Sequence, residues 1–486
     1  MPQFLAFDLG ASGGRAVLGT LEGGRLDLKE VHRFPNGPVA VRGTLYWDIL
    51  RLWSEIVEGL RQAEGADLDG VGVDAWGVDF GLLDEKGALV GNPVHYRDAR
   101  TDGMMERAFE IVPREEVFAQ TGIQFMQINT LFQLYSMVVN GDPALRCART
   151  LLTIPDLLNY WLTGSAVTEF SIATTTQCYN PRAGAWATGM VERLGIPAHI
   201  FTDIIPPGTL LGPVTAEVPG LARDVPVIAV AGHDTGSAVA AVPAEVEHFA
   251  YISLGTWALF GVEAPEPIIN DRSLAYNFTN EGGVNHTIRL LKNITGLWLL
   301  QECRRVWAEA GRAYSYDQLV EMARQAPPFG PFVDPDSPDF LAPGDMPARI
   351  RAFCTRTGQP APADDAAVTR TALESLALKA RLVLGRLEEL LGHPVAVIHI
   401  LGGGSRNALL CQLIADACNR PVVAGPDEAT ATGNIMVQAI ATGHLESLAA
   451  GREMVARSVA LTRYTPQPTD AWDAAYARFA DMLAQL

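Results

Sequence analysis

Lysine is scarce in this chain: among 37 basic residues only Lys29, Lys86, Lys292 and Lys379 are lysines, so arginine carries nearly all of the positive charge. Against 55 acidic residues this leaves a net charge of −18. An acidic chain repels nucleic acid and anionic membranes, which excludes a partner drawn in by long-range attraction to polyanions. An anionic ligand would have to be held by local N–H groups and metal. The six cysteines (Cys147, Cys178, Cys303, Cys354, Cys411, Cys418) include no C-x-x-C pair and no metal-type spacing. Cys411 and Cys418 are seven apart on a predicted helix, and at ~1.5 Å rise per residue that is too far for a disulfide. All six are expected to be reduced core thiols. No run of ~20 apolar residues occurs, and no charged segment leads into an apolar one at the N-terminus, so a soluble, cytoplasmic chain with no membrane contact is expected. No G-x-x-x-x-G-K-[ST] occurs, which excludes a P-loop.

What is present is a long, apolar-rich chain, 486 residues at 48% apolar, sufficient for two or more domains. Residues 3–34 read as a three-strand meander (3–9, 15–21, 25–34) with glycine turns at 10–14 and 23–24. A helix is expected over 48–62, with Leu52, Ile56 and Leu60 on one face and Asp48 as N-cap. A strand over 69–76 follows, then Phe80–Leu83 turning back as a hairpin across Asp84–Gly87, then helical patterns over 101–163. The strand 225–231 leads to a helix near Thr235, and a second meander starts at about 249. The Pro-rich stretch 326–347 reads as a surface loop. After it come a helix (366–391), a strand (395–401), Gly402-Gly403-Gly404, a helix (406–418), a strand (422–424) and a helix (431–442). Strands alternating with helices predict an α/β fold with parallel sheet covered on both faces. The repeated meander predicts two related lobes, 1–243 and 244–486.

The two meanders open on the same device. Phe4–Leu9 runs into Gly10-Ala11-Ser12-Gly13-Gly14-Arg15, and Tyr251–Leu254 runs into Gly255-Thr256-Trp257. A strand–glycine–strand turn lets backbone N–H groups approach an anion, because glycine has no Cβ and tolerates φ > 0. Two such turns facing each other would hold a polyphosphate between two lobes. Asp8 and Asp234 each end an apolar strand beside such a turn, where a carboxylate can hold Mg²⁺ or orient a nucleophilic hydroxyl; the alternative is an Asx-turn or helix cap. Gly402–Gly404 before Asn407, with a second glycine-bounded loop at Gly425–Asn434, suits a nucleotide at a helix N-terminus.

Other matches lack their required context. Gly10–Gly14 fits G-x-S-x-G, but strand rather than helix follows it, which argues against a hydrolase elbow. Gly70-Val71-Gly72-Val73-Asp74-Ala75 fits G-x-G-x-x-A, but its glycines lie inside a strand, which argues against a dehydrogenase. Trp76, Asp79, Tyr96, Arg97, Asp98 and Arg100 read equally as a sugar-binding group and as an ordinary charged loop.

Assembled, these residues resemble the FGGY family of carbohydrate kinases over essentially the full length. The resemblance rests on Asp8-Leu9-Gly10-Ala11-Ser12, Trp76-Gly77-Val78-Asp79-Phe80, Tyr96-Arg97-Asp98, Gly232-His233-Asp234-Thr235, Ser253-Leu254-Gly255-Thr256-Trp257, Thr279-Asn280-Glu281-Gly282-Gly283 and Gly296–Gln301. Ile154-Pro155-Asp156 with Leu162-Thr163-Gly164 resembles the general family signature. The resemblance implies two lobes of the actin and hexokinase type, each ribonuclease H-like, with an active-site cleft between them. It implies Asp234 as catalytic base. ATP would meet Ala11, Ser12, Gly13, Gly14, Arg15, Thr256, Gln301 and Gly403, and the sugar would meet Gly77, His233, Asp234, Thr235 and Asn293. Mg²⁺ would lie near Asp8, through water. In one departure from the family, Ile414 stands where a member has a cysteine, leaving Cys418 without that partner.

The reaction implied is transfer of the γ-phosphoryl of MgATP to the 1-hydroxyl of a ketose, L-rhamnulose first, with L-fuculose and L-xylulose as alternatives. A non-catalytic sugar sensor or actin-like ATPase is the reading from another class. Monomer and homodimer are both compatible with the resemblance.

Overall fold

The computed structural model describes residues 1–215, 224–467 and 470–486. They divide into two compact units. The first holds residues 1–243, 263–290 and 429–459, and the second holds 244–262, 291–428 and 460–486. The elements that shape them run, in chain order, β1 (Gln3–Gly10), β2 (Gly13–Glu22), β3 (Arg25–Pro35), α1 (Ile49–Gln62), β4 (Leu68–Ala75), β5 (Thr209–Pro213), β6 (Pro226–Ala229), α2 (Asp234–Ala240), β7 (Phe249–Leu254), β8 (Trp257–Ala264), β9 (Ile288–Thr295), α3 (Trp298–Glu309), α4 (Asp365–Leu391), β10 (Val397–Leu401), α5 (Ala408–Cys418), β11 (Val422–Ala424), α6 (Ala429–Ala441) and β12 (Thr462–Tyr464).

In the first unit the sheet order is β5–β6–β4–β1–β2–β3. The meander β1–β2–β3 is antiparallel, whereas β1, β4 and β6 run parallel. β1 alternates as a strand buried on both faces must. Leu5, Phe7 and Leu9 enter the core with Leu52, Ile56 and Leu60 of α1. Phe4 and Ala6 enter the other with Ala431, Ile435 and Ala439 of α6. Asp48 caps α1 by accepting from Arg51 N, as the pattern predicts. The unexplained Gly70 and Gly72 of β4 now have a reason. A Cβ at Gly72 would lie 2.6 Å from Asn434 Oδ1, and one at Gly70 would lie 2.9 Å from Gln438 Oε1, so β4 is glycine where α6 presses on the sheet.

In the second unit the order is β9–β8–β7–β10–β11–β12. β7 pairs antiparallel with β8 and parallel with β10, and β10 runs parallel to β11. The first unit has the same succession in β1 with β2, β4 and β6, so the two units repeat one topology. This is the two-domain α/β fold expected, although each sheet is mixed, because the opening meander contributes antiparallel pairs. α4 starts at the cap Asp364 and stops at Gly392 with φ 76°, a left-handed residue that ends a helix.

Three local expectations change. Phe80–Leu83 does turn back, with Val90 N donating to Leu82 O, but its main partner is the distant strand Thr150–Thr153, which interrupts the helical region. Gly10, Gly13 and Gly14 do not have positive φ; at Gly14 the requirement is close packing, since a Cβ would lie 2.4 Å from the Phe34 ring. Five cysteines are buried and free, Cys418 among them, but Cys147 is exposed rather than in the core. Among the described residues no helix is long and apolar enough to cross a membrane.

Candidate active site

β1 and β2 are joined through a two-residue turn, Ala11-Ser12, with Gly10 facing Gly13. Asn36 holds the turn from behind: its side chain donates to Gly10 O at 2.9 Å and its N–H to Ser12 O. Asp8 and Arg15 are register partners across the two strands, and Arg15 grips one carboxylate oxygen of Asp8 with Nε at 3.0 Å and Nη2 at 2.7 Å. The turn and its flanking charges thus form one rigid corner.

Asp234 is the first residue of α2. Its side chain keeps 29% exposure, enough to meet a ligand. One carboxylate oxygen accepts from the N–H and, at 3.0 Å, the hydroxyl of Thr235, and neither bond engages the other oxygen. Burial pushes the Asp234 carboxyl above the ordinary range and the Asp8 charge adds to this, while His233 opposes both. His233 lies alongside, Nε2 3.5 Å from Asp234 Oδ1. The backbone entering this corner is clamped: Glu169, which caps the helix Phe170–Thr175, accepts from Gly232 N at 2.8 Å, and Ser171 Oγ accepts from His233 N.

A third carboxylate escaped the sequence reading. Asp74 is the register neighbour of Asp8 on β4 and is wholly buried. Asn434 of α6 donates to its Oδ2 at 2.6 Å, and its Oδ1 has no hydrogen-bond partner. Burial, then the nearby Asp8 and Asp234 charges, push its carboxyl well above the usual range; Asn434 works against them. A carboxyl so placed is harder to ionise beside Asp8 than an exposed one. Its partner lies 360 residues away, out of reach of any local pattern.

The aromatic–polar group centres on Asp79. Its carboxylate is 1% exposed and accepts from the indole N–H of Trp47 at 2.5 Å, of Trp76 at 2.9 Å and from Gln133 at 3.1 Å. Burial raises it to about 6 against those hydrogen bonds. Trp47, unremarked in the sequence, stacks between Trp76 and His95 with centroids 4.1 and 4.2 Å away. The Asp79 carboxylate is therefore used internally, and what it fixes is the loop before it. Val78 has φ 67°, a strained conformation for a β-branched residue, held by Thr130 Oγ1 donating to Val78 O at 2.6 Å and by Thr175 Oγ1 accepting its N–H. Gly77 rests on Thr175, where a Cβ would come within 3.2 Å.

The other expected residues belong to the second unit. Thr256 donates to Gln301 Oε1 at 3.0 Å, so that pair is brought together. The exposed Gly255 turn is pinned to the start of α3: Leu297 N donates to Gly255 O at 2.9 Å and Gly296 N to Thr256 O at 3.0 Å. Gly402 and Gly404 pack on Leu254, whereas nothing lies within 4 Å of where a Cβ of Gly403 would be. Asn293 is half-buried on β9. Beside it, burial lowers the Lys292 amine to about 8, and Lys379 bridges Asp334 and Asp336 at 2.7 and 2.8 Å. Two of the four lysines thus lie at one buried cluster.

Mg²⁺ is held by one or two carboxylates with waters and substrate phosphates. Asp8 and Asp234 suit that donor set: each is a carboxylate with an exposed edge, 13% and 29%. Among the described residues no three acidic, histidine or cysteine side chains form an all-protein metal cage.

Polar, glycine-flanked corners at strand ends recur on the two repeated α/β units, and comparison with known proteins gives the class. The FGGY carbohydrate kinase N-terminal domain matches residues 3–241 and the C-terminal domain matches 250–442, so the chain belongs to the FGGY family of carbohydrate kinases. It is 46% identical to a rhamnulokinase of Bacteroides thetaiotaomicron, covering 98% of both chains. A rhamnulokinase of Pectobacterium atrosepticum is 43% identical over 98% of this chain and 96% of its own. Among solved structures, xylulose kinase from Rhodospirillum rubrum superposes with a TM-score of 0.80 at 22% identity, covering 100% of this chain and 99% of its own. Plasmodium falciparum glycerol kinase with ADP gives 0.81 at 14%, covering 100% and 98%. At these identities the structures establish the fold alone.

Proposed function

We propose that the enzyme transfers the γ-phosphoryl of MgATP to the 1-hydroxyl of L-rhamnulose, giving L-rhamnulose 1-phosphate and ADP. The observation that carries the chemistry is the Asp234 carboxylate, half-buried at the start of α2, with one oxygen fixed by Thr235 and the other unengaged by it. The choice of sugar is supported by full-length relatives at 46% and 43% identity that are rhamnulokinases.

In this reading Asp234 accepts the proton of the attacking hydroxyl and aims the oxygen in line. Phosphoryl transfer passes through a loose transition state, so orientation and charge neutralisation matter more than deprotonation. His233, Thr235, Gly77 and Asn293 would contact the ketose. Ala11–Arg15, Thr256, Gln301 and Gly403 would contact ATP, through backbone N–H groups at the first turn and the Thr256 hydroxyl at the second. Asp8 would hold Mg²⁺, through water, which would neutralise charge on the phosphate oxygens.

The test is ADP release with MgATP against L-rhamnulose, L-fuculose, L-xylulose and D-xylulose, with the phosphorylated position read by phosphorus NMR. The expected result is a clear preference for L-rhamnulose, phosphorylated at carbon 1. Preference for another ketose would overturn the substrate and leave the chemistry, and sugar-independent ATP turnover would overturn both.

A further inference from the structure

Lys379, in the buried cluster of the second unit, has no part in the proposed chemistry. It stands on α4, a helix of 27 residues, and is 6% exposed. Its amine bridges Asp334 and Asp336 at 2.7 and 2.8 Å. Burial works to lower that amine, but Asp336 and Asp334 outweigh burial and hold it above its ordinary range, so it stays charged. One turn earlier on the same helix, Ser375 Oγ accepts from Val333 N at 2.9 Å. The segment Val333–Asp336 is thus docked on α4 at two successive turns. Pro335, between the two aspartates, lines a small apolar cleft with Gly296, Leu297, Leu300, Ala372 and Leu376.

Asp336 carries the link onward. Its Oδ2 meets Lys379, and its Oδ1 accepts from the N–H of Thr295, the last residue of β9, at 2.8 Å. The next two N–H groups, of Gly296 and Leu297, donate to Thr256 O and Gly255 O at 3.0 and 2.9 Å. Backbone lies on backbone here without slack: a Cβ at Gly296 would fall 2.6 Å from the Trp257 carbonyl carbon and 2.7 Å from Gly255 O. A shift of Thr295 therefore passes directly to the Gly255-Thr256 turn. Removing the Lys379 ammonium from between two carboxylates leaves them to repel each other. Asp336, whose side chain is 27% exposed, can then swing into water and release Thr295.

We propose that Lys379 is a positioning residue for nucleotide binding: through Asp336 it fixes the end of β9, and the end of β9 fixes the Gly255-Thr256 turn that meets ATP. The nucleotide part rests on the reading that Thr256 contacts ATP; the clamp does not. Asn36 supports the first unit's turn in one step, by bonding to Gly10 O and Ser12 O. In the second unit the support is relayed from a charge on a long helix.

The experiment is hydrogen exchange by mass spectrometry on the intact protein, read on the segment 294–298, with Kd for MgATP from calorimetry and a thermal melt beside it. Lys379→Met should speed exchange in that segment by ~10-fold or more, leave segment 250–254 within about twofold, and raise Kd about fivefold to tenfold. Asp336→Ala, at a partly exposed position, should do the same, and it carries the test if Lys379→Met fails to fold. Adding Asp334→Asn to Lys379→Met removes the repulsion and should return exchange and Kd to within about threefold of wild type. General destabilisation would give no such rescue, and a loss of folded protein alone would lower the fraction that binds without moving Kd. Unchanged exchange at 294–298 in folded Lys379→Met or Asp336→Ala would overturn the proposal, as would a double variant no better than Lys379→Met. Wild-type Kd in both single variants while Thr256→Val binds weakly would overturn it too. Faster exchange with wild-type Kd in all three, Thr256→Val included, would remove Thr256 from the nucleotide site and leave the clamp standing.

Discussion

Gly433 is far in sequence from the candidate base but sets where it stands. It lies on α6, at the point where that helix crosses α2, the helix that Asp234 begins. A methyl group at Gly433 would fall 1.7 Å from the Ser237 carbonyl oxygen and 2.6 Å from its carbonyl carbon. Since non-bonded carbon atoms rest ~3.5–4 Å apart, Gly433→Ala must part the two helices by roughly 1.5 Å. Backbone faces the new methyl, so no rotamer change relieves it. Ser237 is three residues from Asp234 on a helix only seven residues long, so the shift reaches the carboxylate. Misplacement of a reacting group by ~1 Å costs about 10²-fold, which is the expected fall in kcat. Stability should fall less. Overpacking costs ~1–3 kcal/mol, offset by ~1 kcal/mol because alanine favours helix over glycine. The assay is steady-state ADP release with L-rhamnulose beside a thermal melt. Wild-type kcat in a folded Gly433→Ala protein would refute the claim that α6 positions the base.

Asp79→Ala should destabilise by ~2–5 kcal/mol, because two buried indole N–H groups lose their acceptor. Burial holds the folded Asp79 carboxyl at about 6, while an unfolded aspartate titrates near ~3.9. The folded state therefore binds the extra proton, and the wild-type advantage over Asp79→Ala should shrink as pH rises across that interval; a pH-independent difference in denaturant midpoint would contradict it. Since burial raises Asp234 and the base must be ionised, kcat/KM should fall with decreasing pH at a midpoint above the ordinary aspartate range, whereas a profile flat down to pH ~4 would contradict this. Thr256→Val removes the hydroxyl that meets Gln301 and should raise KM for ATP about tenfold without moving that acid limb; an unchanged KM would remove Thr256 from the nucleotide site.

Much of the fold was legible because its signals are local. The two meanders, the capped helix α1 and the long helix α4 follow from alternation, apolar spacing and terminal residues within a few positions. What was not legible depends on distant partners. Nothing near Phe80–Leu83 announces the strand at Thr150–Thr153. Nothing near β4 announces that α6 rejoins the first unit, so Gly70 and Gly72, once set aside as a nucleotide fingerprint, had no visible reason in the sequence; they make room for Gln438 and Asn434. The candidate site divides in the same way. Asp8, the Ala11–Arg15 turn, Asp234 and Thr256 stand at strand ends beside glycines, a pattern visible in one dimension. Asp74 sits inside a strand as an ordinary residue and gains meaning only from what burial places beside it. Asp79 belongs to a group that reads equally as sugar-binding and as a charged loop, and the structure shows its carboxylate taken up by two indoles.

The central claim is that Asp234 is the base of ketose phosphorylation, and single-turnover phosphoryl transfer from MgATP to L-rhamnulose in Asp234→Ala, with ligand affinities measured in parallel, tests it most directly. The account predicts a rate lowered by ~10²–10⁴-fold with ATP affinity within a few-fold of wild type. Transfer at a near-normal rate in the folded variant would contradict it.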